Sequence, residues 1–320
     1  MILLDRAAVE RLLTFPLCIA ALRRAMIAVS AGEAALPLRQ FMAVPGRPGK
    51  LGLMPGALAD PPCFGVKIVS KFLRPPGSPH GTHVGAMLLF EAEHGLPVAL
   101  IEGGSLTAIR TAAMTALATD LLAAPGASRL LICGAGEQAL WHLRAFRATR
   151  ALDAVTVWTR DPAKAAAFAA AHNVAAVANL ERAVADADIV CTTTSAAEPF
   201  LQGRWLRPGQ HINLVGSAIP ETAEADVETV ARSRYFVDYR PAALVQAGEL
   251  KRAIATGAVG EDHIVAEIGA VAAQTLAGRS SSAEITLYKS LGVAAQDLAA
   301  ATALVEAASA AGEGVEFALE

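Results

Sequence analysis

Short apolar runs alternate with helical patterns along the chain from residue 129 to about 292. Apolar runs at 130–133 and 154–158 predict two buried strands, and the residues between them repeat at the spacing of a helix. The later predicted elements are strands at 188–192, 211–215 and 235–237 and helices at 162–172 and 180–187, the second capped by Asn179. This alternation predicts an α/β fold with a doubly wound parallel sheet.

The first part of the chain mixes helix and strand without that alternation. Short apolar runs bounded by Gly and Pro fill 36–101 and predict strands. The other predicted elements are helical positions at 5–31 with a break at Pro16, a β-hairpin of 86–90 and 97–101, a helix at 105–122 capped by Ser105 or Thr107, and an alanine-rich helix at 294–311. We therefore predict a smaller α+β domain from 1–122 and 294–320 and a Rossmann-type domain from 123–293.

A glycine turn follows the strand at 130–133. Gly134 permits a sharp turn, Gly136 leaves room for a pyrophosphate to approach the backbone, and Ala139 permits close helix packing. The helix N-terminus at Glu137 and Gln138 offers N–H groups and a positive dipole end to phosphates. Strand, turn, helix and second strand together predict a dinucleotide site. The alternative is a purely structural turn.

The end of the second strand bears on the choice of dinucleotide. Enzymes that bind NAD usually place an acid there for the ribose hydroxyls, whereas this chain has Thr159 and Arg160. Arginine suits a 2′-phosphate because its fork donates two hydrogen bonds to phosphate oxygens. We predict NADP(H) as the preferred cofactor, with NAD(H) possible through Asp161.

Composition excludes several classes of partner. The net charge of −3 gives no electrostatic footprint for nucleic acid, and no apolar run is long enough to predict a membrane span. The N-terminus lacks the pattern of a signal peptide. Four scattered cysteines without CxxC spacing predict a reduced, cytoplasmic protein, and no His/Cys cluster has the spacing of a metal site.

Three cations in the first domain are candidates for substrate binding. Lys67 interrupts an apolar strand, Arg110 lies in a helix of apolar and small residues, and Arg39 follows an apolar run. A partly buried cation is costly unless an anion pairs with it, and a substrate carboxylate suits arginine. The alternative is that these cations pair with distant acids such as Glu91, Glu93 or Glu102.

The segment GSLTAIRTAA at 104–113 resembles the ornithine cyclodeaminase/mu-crystallin family. The resemblance covers nearly the whole chain. Further matching segments are LLFEAEHGLPVALIEG (88–103), TTTSAAEPFL (192–201), VDYRPAALVQAGEL (237–250) and EITLYKSLGVAAQDLAAA (284–301).

The resemblance implies a homodimer whose subunits each pair a Rossmann domain with a domain for substrate binding and dimerisation. It implies activities that pass a hydride between a nicotinamide and the α-carbon of a small amino or imino acid. By resemblance, Arg39, Lys67 and Arg110 match the carboxylate-binding and catalytic cations. The positions matched near the cofactor are Thr193, Thr194 and Ser195, then Val215 and Gly216, then Ser290, Leu291 and Gly292.

One departure from the family pattern bears on the reaction. Cyclodeaminases and archaeal alanine dehydrogenases of the family carry a catalytic aspartate where VGSAIPET (215–222) has Ala218. Alanine can neither act as a base nor pair with an amino group, which argues against cyclisation of ornithine. The nearby acids Glu221 and Glu224 are expected to be solvated. The segment resembles the ketimine-reductase branch instead.

The expected function is NADP(H)-dependent reduction of Δ1-pyrroline-2-carboxylate or Δ1-piperideine-2-carboxylate to proline or pipecolate. Arg39 and Arg110 are expected to bind the carboxylate, and Lys67 to donate the proton. His83 is a second candidate for the donor. The alternatives are an amino-acid dehydrogenase of the family, an ornithine cyclodeaminase, and a mu-crystallin-like binding protein.

Overall fold

The computed structural model describes residues 1–72, 78 and 83–318. Up to residue 122 the chain forms β1 (Ile2–Leu4), α1 (Arg6–Leu12), α2 (Phe15–Ser30), β2 (Ala34–Ala35), β3 (Gln40–Ala43), β4 (Gly49–Leu58), β5 (Cys63–Phe72), β6 (His83–Glu91), β7 (Pro97–Glu102) and α3 (Gly103–Leu122). It continues with β8 (Arg129–Cys133), α4 (Glu137–Thr149), β9 (Ala154–Trp158), α5 (Pro162–His172), β10 (Ala175–Ala176), α6 (Leu180–Asp186), β11 (Ile189–Thr192), β12 (His211–Leu214), α7 (Val227–Ala231), β13 (Arg234–Val237), α8 (Arg240–Gln246), α9 (Gly248–Ala255), β14 (Ile264–Glu267), α10 (Ile268–Ala272) and β15 (Thr286–Lys289). The last elements are α11 (Ala294–Ala311) and β16 (Val315–Glu316).

The chain divides into two compact units. The first unit is Met1–Thr111 with Val293–Glu320, and the second unit is Ala112–Gly292. The division lies inside α3, before the end of that helix at Leu122. The boundary predicted from the sequence lies after the helix, because a pattern of apolar positions shows where a helix ends but not where its packing partners change.

The first unit is built on a mixed sheet. Its strand order is β16-β1-β7-β6-β5-β4-β2, with β3 also paired to β4. Strands β4, β5, β6 and β7 pair antiparallel in succession, and the predicted hairpin is β6 with β7. On its other side β7 pairs parallel with β1. Helix α11 packs against α2 and against β4 and β5. This packing buries Cys18, Leu22 and Met26 of α2 together with Leu298 and Leu304 of α11.

The second unit has a Rossmann-type parallel sheet, as predicted. Its order is β10-β9-β8-β11-β12-β15-β13-β14, and every pair is parallel. All four residues of β11, of β12 and of β15 are buried, so both faces of the sheet are covered there. The chain leaves β8 toward β9 on one side and later returns to β11 on the other. The carboxyl ends of β8 and β11 therefore border the switch point where α/β sheets bind ligands.

The start of α3 differs from the prediction. The helix begins at Gly103, and its first N–H groups are satisfied by the Glu102 carboxylate, which accepts from Gly104 N at 2.7 Å and from Ser105 N at 2.9 Å. Ser105 and Thr107 lie inside the helix, and the Thr107 hydroxyl donates to the Gly103 carbonyl at 2.6 Å. The longer glutamate side chain reaches the position that a Ser or Thr cap would take.

Strands β14 and β15 were not predicted from the sequence. Strand β15 is short and fully buried, so its residues show no alternation of apolar and polar positions.

In the described ranges no single helix is long and apolar enough to cross a bilayer. Helices α1 and α2 reach that length and apolar composition only when taken together, and they are bent by 85° where they meet.

Candidate active site

Two predicted cations of the first unit share one buried acid. Lys67, in the middle of β5, places Nζ 2.9 Å from Oδ1 and 2.8 Å from Oδ2 of Asp297 on α11. Arg110 on α3 donates from Nε to Asp297 Oδ1 at 2.9 Å and from Nη1 to Gln296 Oε1 at 2.7 Å. Lys67 is 2 % exposed, Arg110 4 % and Asp297 0 %. Three separate elements of the first unit therefore meet at one charged cluster.

Burial and the neighbouring charges set the protonation of this cluster. Burial lowers the pKa of Lys67 to about 8, with Asp297 acting to raise it and Arg110 and Arg39 acting to lower it. Burial alone would raise the pKa of Asp297, but Arg110 and Lys67 together hold it below its usual value. At neutral pH Asp297 is thus ionised and Lys67 carries a proton that it can release readily.

The alternative partners considered for the cations are used elsewhere. Glu91 accepts the N–H groups of Glu93, His94 and Leu96 in the hairpin turn, and Glu102 caps α3. The ion-pair partner of Arg110 is Asp297. Asp297 was not predicted as a site residue, although an acid among the alanines at the start of α11 is a usable signal of a buried charge.

Arg39 adds a further positive charge near the cluster. Its side chain is half-buried in the segment before β3 and lies near enough to depress the pKa of Lys67. The Arg110 Nη2 makes no hydrogen bond within the described residues, so it is a donor that an anion could use. His83 begins β6, but its side chain lies outside the part of the chain that the structure describes.

The predicted cofactor residues of the second unit lie at the carboxyl ends of five adjacent strands. Strands β9, β8, β11, β12 and β15 are consecutive neighbours in the parallel sheet. Following them are Thr159 and Arg160 after β9, Gly134 to Gln138 after β8, Thr193, Thr194 and Ser195 after β11, Val215 and Gly216 after β12, and Ser290, Leu291 and Gly292 after β15. The sheet therefore brings these segments, which are distant in sequence, to one edge.

The glycine turn has the geometry of a phosphate cradle. Gly134 has φ +130°, and a Cβ there would lie 2.5 Å from Thr193 Oγ1, so only glycine fits. Gly136 is the N-cap of α4 with no side-chain capping bond, and a Cβ there would meet nothing within 4 Å. The Gln138 Oε1 is buried without a hydrogen-bond partner. Open space at an uncapped helix N-terminus fits the pyrophosphate of a dinucleotide.

The residues after β9 differ in whether their side chains are already bonded within the protein. Asp161 accepts from Ala163 N at 3.1 Å and so caps α5. Arg160 is exposed and has no ion-pair or hydrogen-bond partner among the described residues. The acid is therefore partly used by its own helix, while the guanidinium is available to a ligand.

Buried carboxylates hold the other three segments, those after β11, β12 and β15. Asp238 accepts from Leu291 N at 2.7 Å and Gly292 N at 2.8 Å, and the Tyr288 hydroxyl donates to its other oxygen. The prediction that Glu224 is solvated is wrong, because it is 0 % exposed and accepts from groups of the segments after β11 and β12. Glu221 is exposed, as expected.

No acid lies at position 218. Ala218 is half-buried in the segment after β12, and its neighbour Ser217 has its hydroxyl bonded to Thr222. Among the described residues, one group has ligand atoms close enough to hold a metal ion, namely Glu91, Glu93 and His94 in the hairpin turn. Both Glu91 oxygens already accept backbone N–H groups there.

Comparison with known proteins identifies the family. The model of the ornithine cyclodeaminase/mu-crystallin family matches residues 1–312. The ketimine reductase mu-crystallin of Mus musculus is 36% identical over 267 residues, which cover 83% of this chain and 82% of that protein.

Two solved structures share the fold over the whole chain. The Δ1-pyrroline-2-carboxylate reductase of Thermococcus litoralis, in complex with NADH and L-proline, has a TM-score of 0.93 and 32% identity, covering 99% of this chain and 100% of that one. An archaeal alanine dehydrogenase dimer with bound NAD has a TM-score of 0.92 and 28% identity, covering 100% and 99%. The chain belongs to the ornithine cyclodeaminase/mu-crystallin family.

Proposed function

We propose that the protein is a nicotinamide-dependent reductase of small cyclic imino acids, with Δ1-pyrroline-2-carboxylate or Δ1-piperideine-2-carboxylate as substrate. The observation that carries the proposal is the buried cluster in which Lys67 and Arg110 share the single acid Asp297. It combines a binding site for an anion with a proton donor. The names of the mouse and Thermococcus relatives support the same reaction class.

The chain's own residues supply the binding groups for the cofactor. Gly134, Gly136 and the N-terminus of α4 would hold the pyrophosphate, and the segments after β11, β12 and β15 would hold the nicotinamide half. When bound, the reduced nicotinamide supplies a hydride to the imine carbon.

The cations of the first unit supply substrate binding and the proton. Arg110 offers Nη2 to the substrate carboxylate, while its Nε and Nη1 are fixed by Asp297 and Gln296. Arg39 adds a second positive charge for the same carboxylate. Lys67 donates its proton from Nζ to the imine nitrogen, which makes the adjacent carbon electrophilic. The ring gains one proton and one hydride, and Lys67 is left neutral until it is reprotonated from solvent.

NADP(H) is the proposed preferred cofactor. Arg160 is exposed and unpaired within the described residues, whereas Asp161 is partly used as the cap of α5. NAD(H) is the alternative, since the Thermococcus and archaeal relatives hold NADH and NAD. The Arg160→Ala variant should raise the KM for NADPH far more than the KM for NADH. Arg182→Ala, which removes an exposed arginine of the same unit, should change neither.

Alanine dehydrogenation is the second candidate function, because an archaeal alanine dehydrogenase shares the fold. Ala218 disfavours it and disfavours cyclodeamination, since both activities involve an amino group that an acid at this position would bind.

The deciding experiment is an assay of imine reduction. Purified protein is mixed with NADPH or NADH and either imine, and absorbance of the reduced nicotinamide is followed. Consumption with an imine, together with proline or pipecolate as product, is the expected result. No consumption with either imine would contradict the proposal. Ammonia and proline formed from ornithine would establish the lyase activity instead.

A variant of the proton donor tests the assignment of Lys67. Lys67→Ala should abolish imine reduction while leaving the Kd for the reduced cofactor unchanged, because the cofactor is assigned to the second unit. Turnover at the rate of the unmodified protein would contradict this role.

A homodimer is the proposed assembly. In the first unit Leu38, Phe41 and Met42 are large apolar side chains that are 42%, 46% and 60% exposed, and β3 is exposed along its whole length. The archaeal relative is a dimer. Analytical ultracentrifugation should give twice the mass of the chain, and a monomer at micromolar concentration would contradict the proposal.

A further inference from the structure

A buried carboxylate, Glu224, connects the ends of two neighbouring strands in the second unit. Its Oε1 accepts from Thr194 N and from Thr194 Oγ1, both at 2.7 Å. Its Oε2 accepts from Thr192 Oγ1 at 2.6 Å and from Gly216 N at 2.7 Å. One side chain thus accepts four hydrogen bonds from the end of β11 and the end of β12.

The space around this carboxylate is filled. A Cβ at Gly216 would lie 2.0 Å from the Thr194 carbonyl oxygen and 2.5 Å from Glu224 Oε1, so no other residue fits there without displacing backbone. The absence of a side chain at Gly216 lets the two strand ends approach each other with Glu224 between them. The relative position of Thr194 and Gly216 is therefore set by this acid.

Further buried groups tie Glu224 to a third strand end. The Glu224 N–H donates to Glu249 Oε1 at 2.9 Å, and Glu249 Oε2 lies 2.9 Å from Lys289 Nζ. Lys289 ends β15 and donates to the Ser217 carbonyl at 2.6 Å. Lys289 is 0 % exposed and Glu249 is 1 % exposed. The buried side chains of Glu224, Glu249 and Lys289 therefore link the ends of β11, β12 and β15.

We propose that Glu224 is a positioning residue for the nicotinamide half of the cofactor site. It acts through the segment 193–195 and through Val215 and Gly216, whose backbone it fixes, and it does not touch the cofactor itself. The inference rests on the proposed function, since it requires a nicotinamide at these segments. An ionised carboxylate can accept four hydrogen bonds, whereas an amide has one acceptor oxygen and places a donor against the other groups.

The test is the Glu224→Gln variant in the whole 320-residue chain. The amide should turn an N–H toward donors of one strand end and loosen the packing of the two segments. We expect the Kd for NADPH and NADH, measured by fluorescence titration, to rise about tenfold, which corresponds to roughly 1.4 kcal/mol. We also expect kcat for imine reduction to fall while the KM for the imine stays within a factor of about two.

A nearby acid provides the matched control. Asp226 accepts from Gly203 N at 2.9 Å and Thr229 N at 2.8 Å, so it caps α7 and holds a loop away from the strand ends. Asp226→Asn should lower Tm without changing the Kd for either cofactor. A milder variant, Thr192→Val, removes one bond to Glu224 at a buried position and keeps the inference testable if Glu224→Gln does not fold.

The outcomes separate this inference from the proposed function. An unmodified protein that binds no nicotinamide would overturn both. An unmodified protein that binds nicotinamide, with a Kd that neither Glu224→Gln nor Thr192→Val changes, would overturn the positioning role alone. If Asp226→Asn raised the Kd for the cofactor as much as Glu224→Gln does, the positioning role would also be overturned. The loss of affinity would then reflect a general loss of stability.

Discussion

The residue that most changes the interpretation of this chain is Asp297. Arg110 was predicted to bind a carboxylate and Lys67 to donate a proton, and both are bonded to this acid. A buried ion pair is costly to break, because the remaining charge is left without a partner. Asp297 therefore determines which donors of Arg110 remain available and how firmly Lys67 keeps its proton.

Removing the acid should shift the pH dependence of the reaction. Lys67 acts as an acid in the proposed reduction, so kcat/KM for the imine should be highest below its pKa of about 8 and fall as the pH rises through that value. Asp297 acts to raise this pKa, so Asp297→Asn should move the decline to lower pH. The variant should also cost about 3 kcal/mol of unfolding free energy or more.

The measurements are a pH–rate profile and a denaturant unfolding curve. Asp120→Asn removes an acid that is 64% exposed and 3.9 Å from its arginine partner, and it should change neither. A decline of kcat/KM at the same pH in Asp297→Asn and in the unmodified protein would show that Lys67 is not the group observed.

At the scale of elements, the β8–turn–α4 unit shows how one motif assigns different roles to its glycines. Gly134 is required by the fold, because it combines φ +130° with a close approach to Thr193. Gly136 is not required by any neighbouring atom of the protein within 4 Å. The free space at Gly136 supports the proposal that a ligand occupies it.

The two glycines should respond differently to the same substitution. Gly134→Ala should lower Tm, because its Cβ would collide with Thr193 and its backbone is in the region that L-residues avoid. Gly136→Ala should change Tm by only a degree or two and raise the Kd for NADPH about tenfold, since the new Cβ enters the space for the pyrophosphate. Calorimetry and fluorescence titration test the pair. Equal Kd values for Gly136→Ala and the unmodified protein would contradict the cofactor site.

At the scale of the whole molecule, each unit has its own sheet and its own charged groups, so the two can respond differently to pH. The second unit contains two histidines that are 0 % exposed, His142 and His211. Burial lowers their pKa from the ordinary value of 6.5 to about 4 and about 3. Both are neutral in the folded state over the range in which they gain a proton on unfolding.

Acid should therefore destabilise the second unit. The contribution of these histidines is fully present above pH 6.5 and is lost as the pH falls toward 4, because the unfolded chain binds the protons. Each histidine should cost about 1.4 kcal/mol per pH unit in that range. Calorimetry from pH 7 to 4.5 should show a falling transition that His142→Gln and His211→Gln make less steep. His94→Gln, an exposed control, should leave the slope unchanged.

Local patterns in the sequence account for the elements around the site and for the types of residue in it. The glycine turn, the strands around it and the helix at 294–311 follow from periodicity and from backbone constraints that act over a few residues. The tertiary structure alone decided which charges meet. Asp297 lies 230 residues from Lys67 and 187 from Arg110, and Glu224, expected in solvent, is enclosed by two strand ends. Such pairings depend on how sheets and helices pack, and no local pattern encodes them.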